Sequence, residues 1–189
     1  MIGFYTIIDS PIGEMLAVSD GEHLTGLYTK NHNKIANPQS LIEHLASSGQ
    51  KKFGESGKSD VLRDDNAAPF PALRKQLKKY FLGELTEFDL PLKLQGTEFQ
   101  QAVWYQLTQI PYGSTISYAT LAARVGNVNA SRAVGNANGK NPVSIIVPCH
   151  RVVGANGTLT GYAGGLDCKK ALLELENLPV RNQLKMALT

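Results

Sequence analysis

The period of the hydrophobic pattern changes along the chain, and this change most limits the possible folds. The first 30 residues alternate apolar and polar side chains, with turn signals at 10–13 and 20–21. This pattern predicts three strands, at 2–8, 15–19 and 23–29, joined as antiparallel hairpins. From residue 69 onward, apolar side chains recur at helical spacing instead. The chain is therefore expected to adopt an α+β fold.

Start and stop signals locate the helices. Phe70, Leu73, Leu77 and Phe81 predict a helix over 69–82 that ends at Gly83. A second helix begins at a capping box and ends before a Pro-Tyr-Gly turn, and a last one is expected to be capped by an acidic residue. The signals for these two helices are Thr97 with Gln100, Pro111-Tyr112-Gly113, and Asp167.

Two short helices between them fit a helix-turn-helix. Ser117 is expected to cap a helix over 118–125, and Asn129 one over 130–138, with a four-residue turn containing Gly126 between them. The second helix is slim, because Arg132 is its only long side chain. Such a helix can approach a nucleic-acid backbone closely and present one guanidinium group.

Composition indicates a globular protein with two domains, at 1–90 and 91–189. The 189 residues are 42% hydrophobic and 19% charged, which excludes a disordered chain. Periodicity fades over 30–66, so we expect a variable loop region there with one short helix at 39–46. An extended segment at 88–94 is expected to lead into the second domain.

Charge and hydropathy indicate where the protein works. Residues 1–90 carry 10 Lys and Arg against 12 Asp and Glu, whereas residues 91–189 carry 9 against 4. A basic C-terminal half suits a phosphate-contacting surface. No apolar run reaches the roughly 18 residues of a membrane span, and the N-terminus lacks a basic signal-peptide region. We therefore expect a cytoplasmic protein without membrane contact.

The strongest chemical signal lies around Cys149. The apolar run 143–147 predicts a buried strand, which Pro148 ends just before Cys149, His150 and Arg151. A thiol beside an imidazole and a guanidinium is expected to have a lowered pKa and to be reactive. The alternative is an inert core cysteine. That second reading suits Cys168, which has no such neighbours.

The residues alone assign no role to several other polar positions. Glu176 is consistent with a solvated helix charge, Asn141 with a turn, and Tyr162 with a mobile loop. Asn156-Gly157 predicts a tight hairpin between the cysteine segment and that loop.

The motif Pro148-Cys149-His150-Arg151-Val152-Val153 resembles the O6-alkylguanine-DNA alkyltransferase family. Asn141-Pro142 before it and Gly161-Tyr162-Ala163-Gly164-Gly165-Leu166 after it extend the resemblance to about residues 88–180. The resemblance implies an N-terminal ribonuclease H-like α/β domain and a C-terminal winged helix-turn-helix domain. It also implies DNA repair, in which an alkyl group moves irreversibly from O6-alkylguanine in duplex DNA to the protein, once only.

The resemblance also implies a role for individual residues. Cys149 would accept the alkyl group, and His150 would act as a base through a bridging water. Glu176 would orient the imidazole, and Asn141 would order the active-site turn. Tyr118 would support base extrusion and donate a proton toward the departing guanine.

DNA and lesion contacts follow in the same way. Arg132 would enter the base stack, with the small residues of its helix in the minor groove. The other expected DNA contacts are Ala130, Ser131, Tyr118 and Arg151, and the expected lesion pocket comprises Tyr162, Val152, Ala163 and Gly164, with Gly165 beside it.

Departures from the family pattern bear on cofactor and substrate. Zinc-binding members use N-terminal cysteine and histidine ligands, but no cysteine precedes Cys149 here, so we expect no metal and no cofactor. Ala163 stands where a hydroxyl residue is common, which would affect the alkyl groups tolerated. The expected partner is double-stranded DNA containing O6-alkylguanine, bound by a monomer without an obligatory protein partner.

Two other functions stay open. A cysteine hydrolase could use Cys149, His150 and Asn141, although adjacent Cys and His do not readily make the direct contact of such triads. A DNA-binding module without chemistry is the third hypothesis. Related alkyltransferase-like proteins lack the acceptor cysteine, and its presence here argues against that reading.

Overall fold

The computed structural model describes residues 3–29 and 61–177. The chain divides into two compact units, residues 1–95 and 96–189. The helix expected at 39–46 lies outside the described residues. Within the described ranges, no helix has both the length and the apolar character that crossing a bilayer requires.

A four-stranded sheet dominates the first unit. Strands β1 (Gly3–Ile8), β2 (Met15–Ser19) and β3 (Leu24–Thr29) form an antiparallel meander, which confirms the three predicted strands and their hairpins. Strand β4 (Val61–Arg63) joins parallel to β1, giving the order β3-β2-β1-β4. The prediction of loop through residue 66 is therefore wrong for β4. Three residues are too few to show an alternating pattern.

The first helix, α1 (Phe70–Phe81), is confirmed and lies within one residue of the predicted bounds, 69–82, at each end. Its apolar face is buried, and Gly83 follows with φ +70°, a left-handed conformation that suits glycine. Arg74 on its polar side donates to the hydroxyl of Thr6 in β1 and to the backbone carbonyl of Asp65. These hydrogen bonds tie α1 to the sheet.

The extended segment expected at 88–94 belongs to the first unit. Leu24 makes a parallel bridge to Leu92, and Lys93 donates to Asp20 over 2.8 Å. Burial raises the pKa of Asp20, but the hydrogen bonds from Lys93 and backbone amides outweigh it and lower the pKa to about 2. These contacts hold the segment on the first unit, which ends at residue 95, beyond the expected boundary at 90.

The second unit is mainly helical, as predicted. Its longer elements are α2 (Glu98–Thr108), α3 (Tyr118–Arg124), α4 (Ser131–Gly139) and α5 (Leu166–Asn177). A 3-10 turn covers Cys149–Arg151, and two short strands, β5 (Ile116–Ser117) and β6 (Val152–Val153), pair in parallel. The turn between α3 and α4 spans 125–130 and is longer than the expected four residues.

Two predicted helix caps are confirmed and two are wrong. The Thr97 capping box is complete, and Ser117 accepts from the Thr120 amide. Asn129 does not cap α4, which begins after Ala130 without a side-chain cap. Asp167 does not cap α5 but lies inside its first turn, because that helix begins at Leu166.

The strand predicted at 143–147 is absent. The segment is buried but folds into consecutive turns, with the Val147 amide donating to the Val143 carbonyl over 3.0 Å and Ile145 at φ 72°. A continuous apolar run reports burial rather than backbone conformation. The side chain of Asn141 bonds this backbone and makes the turns the better solution.

We predict that Thr97→Ala lowers the free energy of unfolding by about 1 kcal/mol, because the variant leaves the first amides of α2 without their cap. Thr108→Ala is the matched control, since its exposed hydroxyl donates to the Tyr105 carbonyl at the other end of the same helix. Urea unfolding measures both. Equal losses for the two variants would contradict the capping role.

Candidate active site

The second helix of the pair, α4, is tied to the cysteine segment. The indole of Trp104 in α2 donates to the Ala137 carbonyl over 2.9 Å, which fixes α4 against α2. At the end of α4, the Asn138 amide donates to the Cys149 carbonyl over 3.4 Å. All of these groups are buried. The position of the thiol is therefore set by the same helix whose outer face carries Arg132.

Asn141 organises the backbone that leads to the thiol. Its Oδ1 accepts from the Val143 amide over 3.0 Å, and its Nδ2 donates to the Val147 carbonyl over 2.7 Å. It also favours the ionised form of the Cys149 thiol, lowering its pKa against the effect of burial. Asn141 thus orders the turn through direct side-chain hydrogen bonds, as the family resemblance implies.

Glu176 of α5 is the anchor of a buried charged network. Its Oε1 lies 2.8 Å from His150 Nε2, and its Oε2 lies 2.8 Å from Arg151 Nε and 3.3 Å from the Gly113 amide. Arg151 adds a second bond, from Nη2 to Oε1, over 2.9 Å, and donates to the Ile110 carbonyl over 2.6 Å. The carboxylate thus binds both side chains that follow the thiol.

This network determines the ionisation of His150. Burial raises the pKa of Glu176, but hydrogen bonds from His150 and Arg151 outweigh it and lower the pKa to about 2. Burial lowers the pKa of His150. An ionised carboxylate only accepts, so Nε2 carries the proton and Nδ1 is left as an acceptor. No described residue bonds that buried Nδ1, so the imidazole can act as a base.

The expected lowered pKa of Cys149 is wrong. The thiol belongs to a residue only 5% exposed, and burial raises its pKa, against the hydrogen bond from Asn141 and the charge of Lys169. His150 and Arg151 do not supply the expected positive potential, because they are committed to Glu176. The thiol proton must therefore be removed as part of the chemistry.

Lys169 is a site residue that the sequence reasoning missed. It is fully buried, and its Nζ donates to the carbonyls of Val152 and Thr160. Burial lowers its pKa to about 8. Its spacing to Leu172 and Glu176 is three and seven residues, which places all three on one face of α5. That periodicity was the available signal.

Tyr118 holds the loop at 160–165, called the pocket loop here because it contains predicted lesion-pocket residues. The Tyr118 hydroxyl, at the start of α3, donates to the carbonyls of Thr160 and Gly161 over 3.2 and 3.3 Å. Tyr162 is half-buried, and burial raises the pKa of its hydroxyl well above the ordinary value. Burial likewise raises the pKa of Cys168 to about 11, so this second thiol stays protonated.

The other predicted site residues are the expected DNA contacts and the expected lesion-pocket residues. Arg132 is exposed on α4, and Ala130 and Ser131 beside it are half-buried. The carbonyl of Val152 binds Lys169, while Ala163 and Gly164 lie in the loop after Tyr162. The predicted DNA contact of Arg151 is not supported, because its guanidinium is buried on Glu176.

The arrangement combines a buried thiol, a neutral imidazole and a helix with an exposed outer face. Among the residues at 3–29 and 61–177, no group of three or more potential metal ligands comes together. The buried thiol and the Nδ1 of the neighbouring imidazole, which no described residue bonds, are suited to nucleophilic transfer that uses a thiol and a nearby base.

Two family models together match most of the chain. One, described as "6-O-methylguanine DNA methyltransferase, DNA binding domain", matches residues 98–178. The other, described as the "ribonuclease-like domain" of the same protein, matches residues 4–94. The α+β class with a ribonuclease-like first domain and a helical second domain is thereby confirmed. The winged form of the second domain stays a prediction.

Curated proteins and solved structures are similar over nearly the whole length. The methylated-DNA–protein-cysteine methyltransferase of Methanosarcina acetivorans is 46% identical over 174 residues, covering 92% of this chain and 97% of that protein. The Mycobacterium tuberculosis protein of the same name is 46% identical over 172 residues, covering 91% of each.

The crystal structure of Mycobacterium tuberculosis O6-methylguanine methyltransferase has a TM-score of 0.76 at 44% identity and covers 99% of both chains. That of Mycobacterium tuberculosis OGT in complex with DNA has a TM-score of 0.74 at 45% identity and covers 92% of both chains.

We predict that Glu176→Gln lowers the free energy of unfolding by roughly 3 kcal/mol at pH 7, because Arg151 then lacks its buried counter-charge. A depressed carboxyl pKa contributes stability above the unfolded value of 4.5, and that stability is lost as pH falls toward 2. The gap between wild type and variant should therefore narrow on acidification, as measured by urea unfolding at several pH values.

Glu174→Gln is the matched control for this experiment. Glu174 lies on the same helix but is exposed, 3.8 Å from Lys170, so its loss should cost less than about 1 kcal/mol. A gap for Glu176→Gln that stays constant from pH 7 to pH 2 would contradict the ionised network.

Proposed function

The chain belongs to the 6-O-methylguanine DNA methyltransferase family, and on this premise we propose that it repairs O6-alkylguanine in duplex DNA by taking the alkyl group onto Cys149. One observation supports the proposal most. The backbone of the buried Cys149 is hydrogen-bonded by Asn138 at the end of the second helix of the pair, and the next residue, His150, is a neutral base held by Glu176.

The proposed reaction is a single displacement. His150 takes the thiol proton, through a water as the family resemblance implies. The sulfur then forms a bond to the alkyl carbon while the bond from that carbon to O6 breaks. The electron pair stays on the guanine, which receives a proton, for which Tyr118 is the proposed donor. The tyrosine is suited to this because burial keeps it protonated at neutral pH.

The product explains why the protein should act only once. The sulfur of an S-alkyl cysteine is a thioether sulfur, without the acyl carbon through which water cleaves a thioester. Nothing in the proposed site removes it. The protein is thus consumed as a reagent, one molecule for each lesion, with no cofactor.

The DNA contacts are proposed from the outer face of α4. A base inside a duplex cannot reach a buried thiol, so it must be extruded at a cost of a few kcal/mol. Arg132 is exposed there and would fill the vacated position. Ala130 and Ser131 are small enough for close approach in the minor groove. Tyr162, Val152, Ala163 and Gly164 would contact the extruded base.

The remaining parts of the proposal concern place and assembly. The substrate is genomic DNA, so the protein would work in the cytoplasm, associated with the nucleoid in a prokaryote. One chain contains both the acceptor and the proposed DNA-contacting helix, and a monomer would suffice.

We predict that duplex DNA carrying radiolabelled O6-methylguanine transfers label to the protein and that transfer stops at one equivalent. Cys149→Ser should lose the transfer, because the less acidic hydroxyl is a poor nucleophile. Cys168→Ser is the matched control and should retain it. Repeated turnover, or label on Cys149→Ser, would contradict the proposal, and turnover of ester or amide substrates would support a hydrolase.

We predict that Arg132→Ala slows transfer from duplex DNA roughly tenfold or more while hardly changing transfer from free O6-benzylguanine, because only the duplex requires extrusion. Arg63→Ala in β4 removes the same charge from the first unit and serves as the control. Single-turnover rates on both substrates measure the effect. Equal losses on both substrates would exclude a role in extrusion.

A further inference from the structure

Lys169 carries a charge that the surrounding polar groups do not neutralise. Its side chain is fully buried, and its Nζ donates to two backbone carbonyls, of Val152 and Thr160. Among the described residues it makes no ion pair with a carboxylate, and Glu176 on the same face of α5 is committed to His150 and Arg151. Burying an ammonium without a counter-charge costs folding free energy, so a functional reason for this lysine is expected.

The groups around this ammonium all belong to the proposed site. The ring of Tyr118 lies with its centroid 5.9 Å from Nζ. The charge of Lys169 also acts on Cys149 and His150, favouring the thiolate of the first and opposing protonation of the second. Conversely, an ionised Cys149 favours the charged form of Lys169. The thiolate is therefore the anion that the site offers to this cation.

We propose that Lys169 is a positioning residue for alkyl transfer, whose buried ammonium is the counter-charge of the Cys149 thiolate. The inference rests on the proposed function for its effect on repair, but its effect on the thiol can be measured without DNA. It also accounts for how a thiol disfavoured by burial ionises. His150 supplies a base, and Lys169 supplies the positive charge that Arg151 does not.

The two carbonyl bonds give the ammonium a fixed location. Val152 directly follows the turn that contains Cys149, and Thr160 is the residue whose carbonyl also accepts from Tyr118. The same cation thereby links the nucleophile's segment to the pocket loop. A neutral side chain that preserves these bonds would keep the loop in place but lose the effect on the thiol, so charge and architecture are separable by mutation.

The test measures the ionisation of Cys149 in the full chain with Cys168→Ser, so that one of the two thiols is removed. The rate of alkylation by iodoacetamide is followed against pH, since only the thiolate reacts and iodide leaves as the carbon bonds to sulfur. Lys169→Gln and Lys169→Met are compared with Lys170→Met. Lys170 is exposed on the same helix, so its loss removes an equal charge outside the site.

We expect the midpoint of the pH profile to rise by about one unit or more in Lys169→Gln and Lys169→Met. The reaction at pH 7 should slow about tenfold, since each unit lowers the thiolate fraction tenfold below the midpoint. Lys170→Met should leave the midpoint unchanged, and Lys169→Arg should keep it near the wild-type value. Single-turnover transfer from O6-benzylguanine should slow in parallel with the loss of thiolate.

A purely structural lysine gives a different result. Lys169→Gln or Lys169→Met would then lower the melting temperature but leave the midpoint at its wild-type value, which would overturn the proposal. If neither neutral variant folds, Lys169→Arg provides the test. This variant keeps the charge, so a raised midpoint of the alkylation pH profile in the folded variant would equally overturn the proposal. Failure of wild type to take label from DNA would overturn the proposed function alone, since the iodoacetamide profile does not depend on it.

Discussion

The buried carboxylate of Glu176 is the interaction on which the site depends. It accepts from the imidazole of His150, from Nε and Nη2 along one edge of the Arg151 guanidinium, and from the Gly113 amide. These bonds hold its pKa at about 2 against the opposing effect of burial, so the group stays ionised at any physiological pH. One charge on α5 thereby fixes the tautomer of the base and neutralises the arginine beside it.

Around this anchor, the thiol is kept neutral until it is needed. Burial raises the pKa of Cys149, while Asn141 and Lys169 offer the anion a hydrogen bond and a positive charge. A permanently ionised thiolate would react with any electrophile that reached it. A thiol whose proton is removed next to an acceptor base reacts when a substrate occupies the pocket, which suits a protein that is used once.

Local sequence signals predicted the parts of the structure that depend on neighbouring residues. The alternating strands, the helix ending at Gly83 and the Thr97 capping box depend on contacts within a few positions, and the structure has them. Strand β4 could not be predicted because its three residues pair with β1 across a long separation. The turns at 143–147 depend on one side chain, Asn141, which overrides the strand preference of an apolar run.

The sequence predicts only part of the site's chemistry, because the site also depends on contacts between residues far apart in the chain. The resemblance named Cys149, His150 and Glu176, and the structure brings the last two into contact. The resemblance does not predict that Arg151 is buried against Glu176, because the position of an arginine beside a nucleophile in the sequence does not indicate which carboxylate it pairs with. The expected lowering of the Cys149 pKa is wrong because residues adjacent in sequence need not be in electrostatic contact: His150 and Arg151 pair with Glu176, and burial raises the pKa of the thiol.

The most direct test of this account is the protonation of the His150 ring, measured by ¹⁵N NMR on the unmodified protein across neutral pH. We predict a neutral ring with the proton on Nε2, bonded to Glu176, and Nδ1 unprotonated, with titration displaced below the ordinary pKa of 6.5. An imidazolium protonated at both nitrogens at pH 7, or a neutral ring carrying its proton on Nδ1, would contradict it.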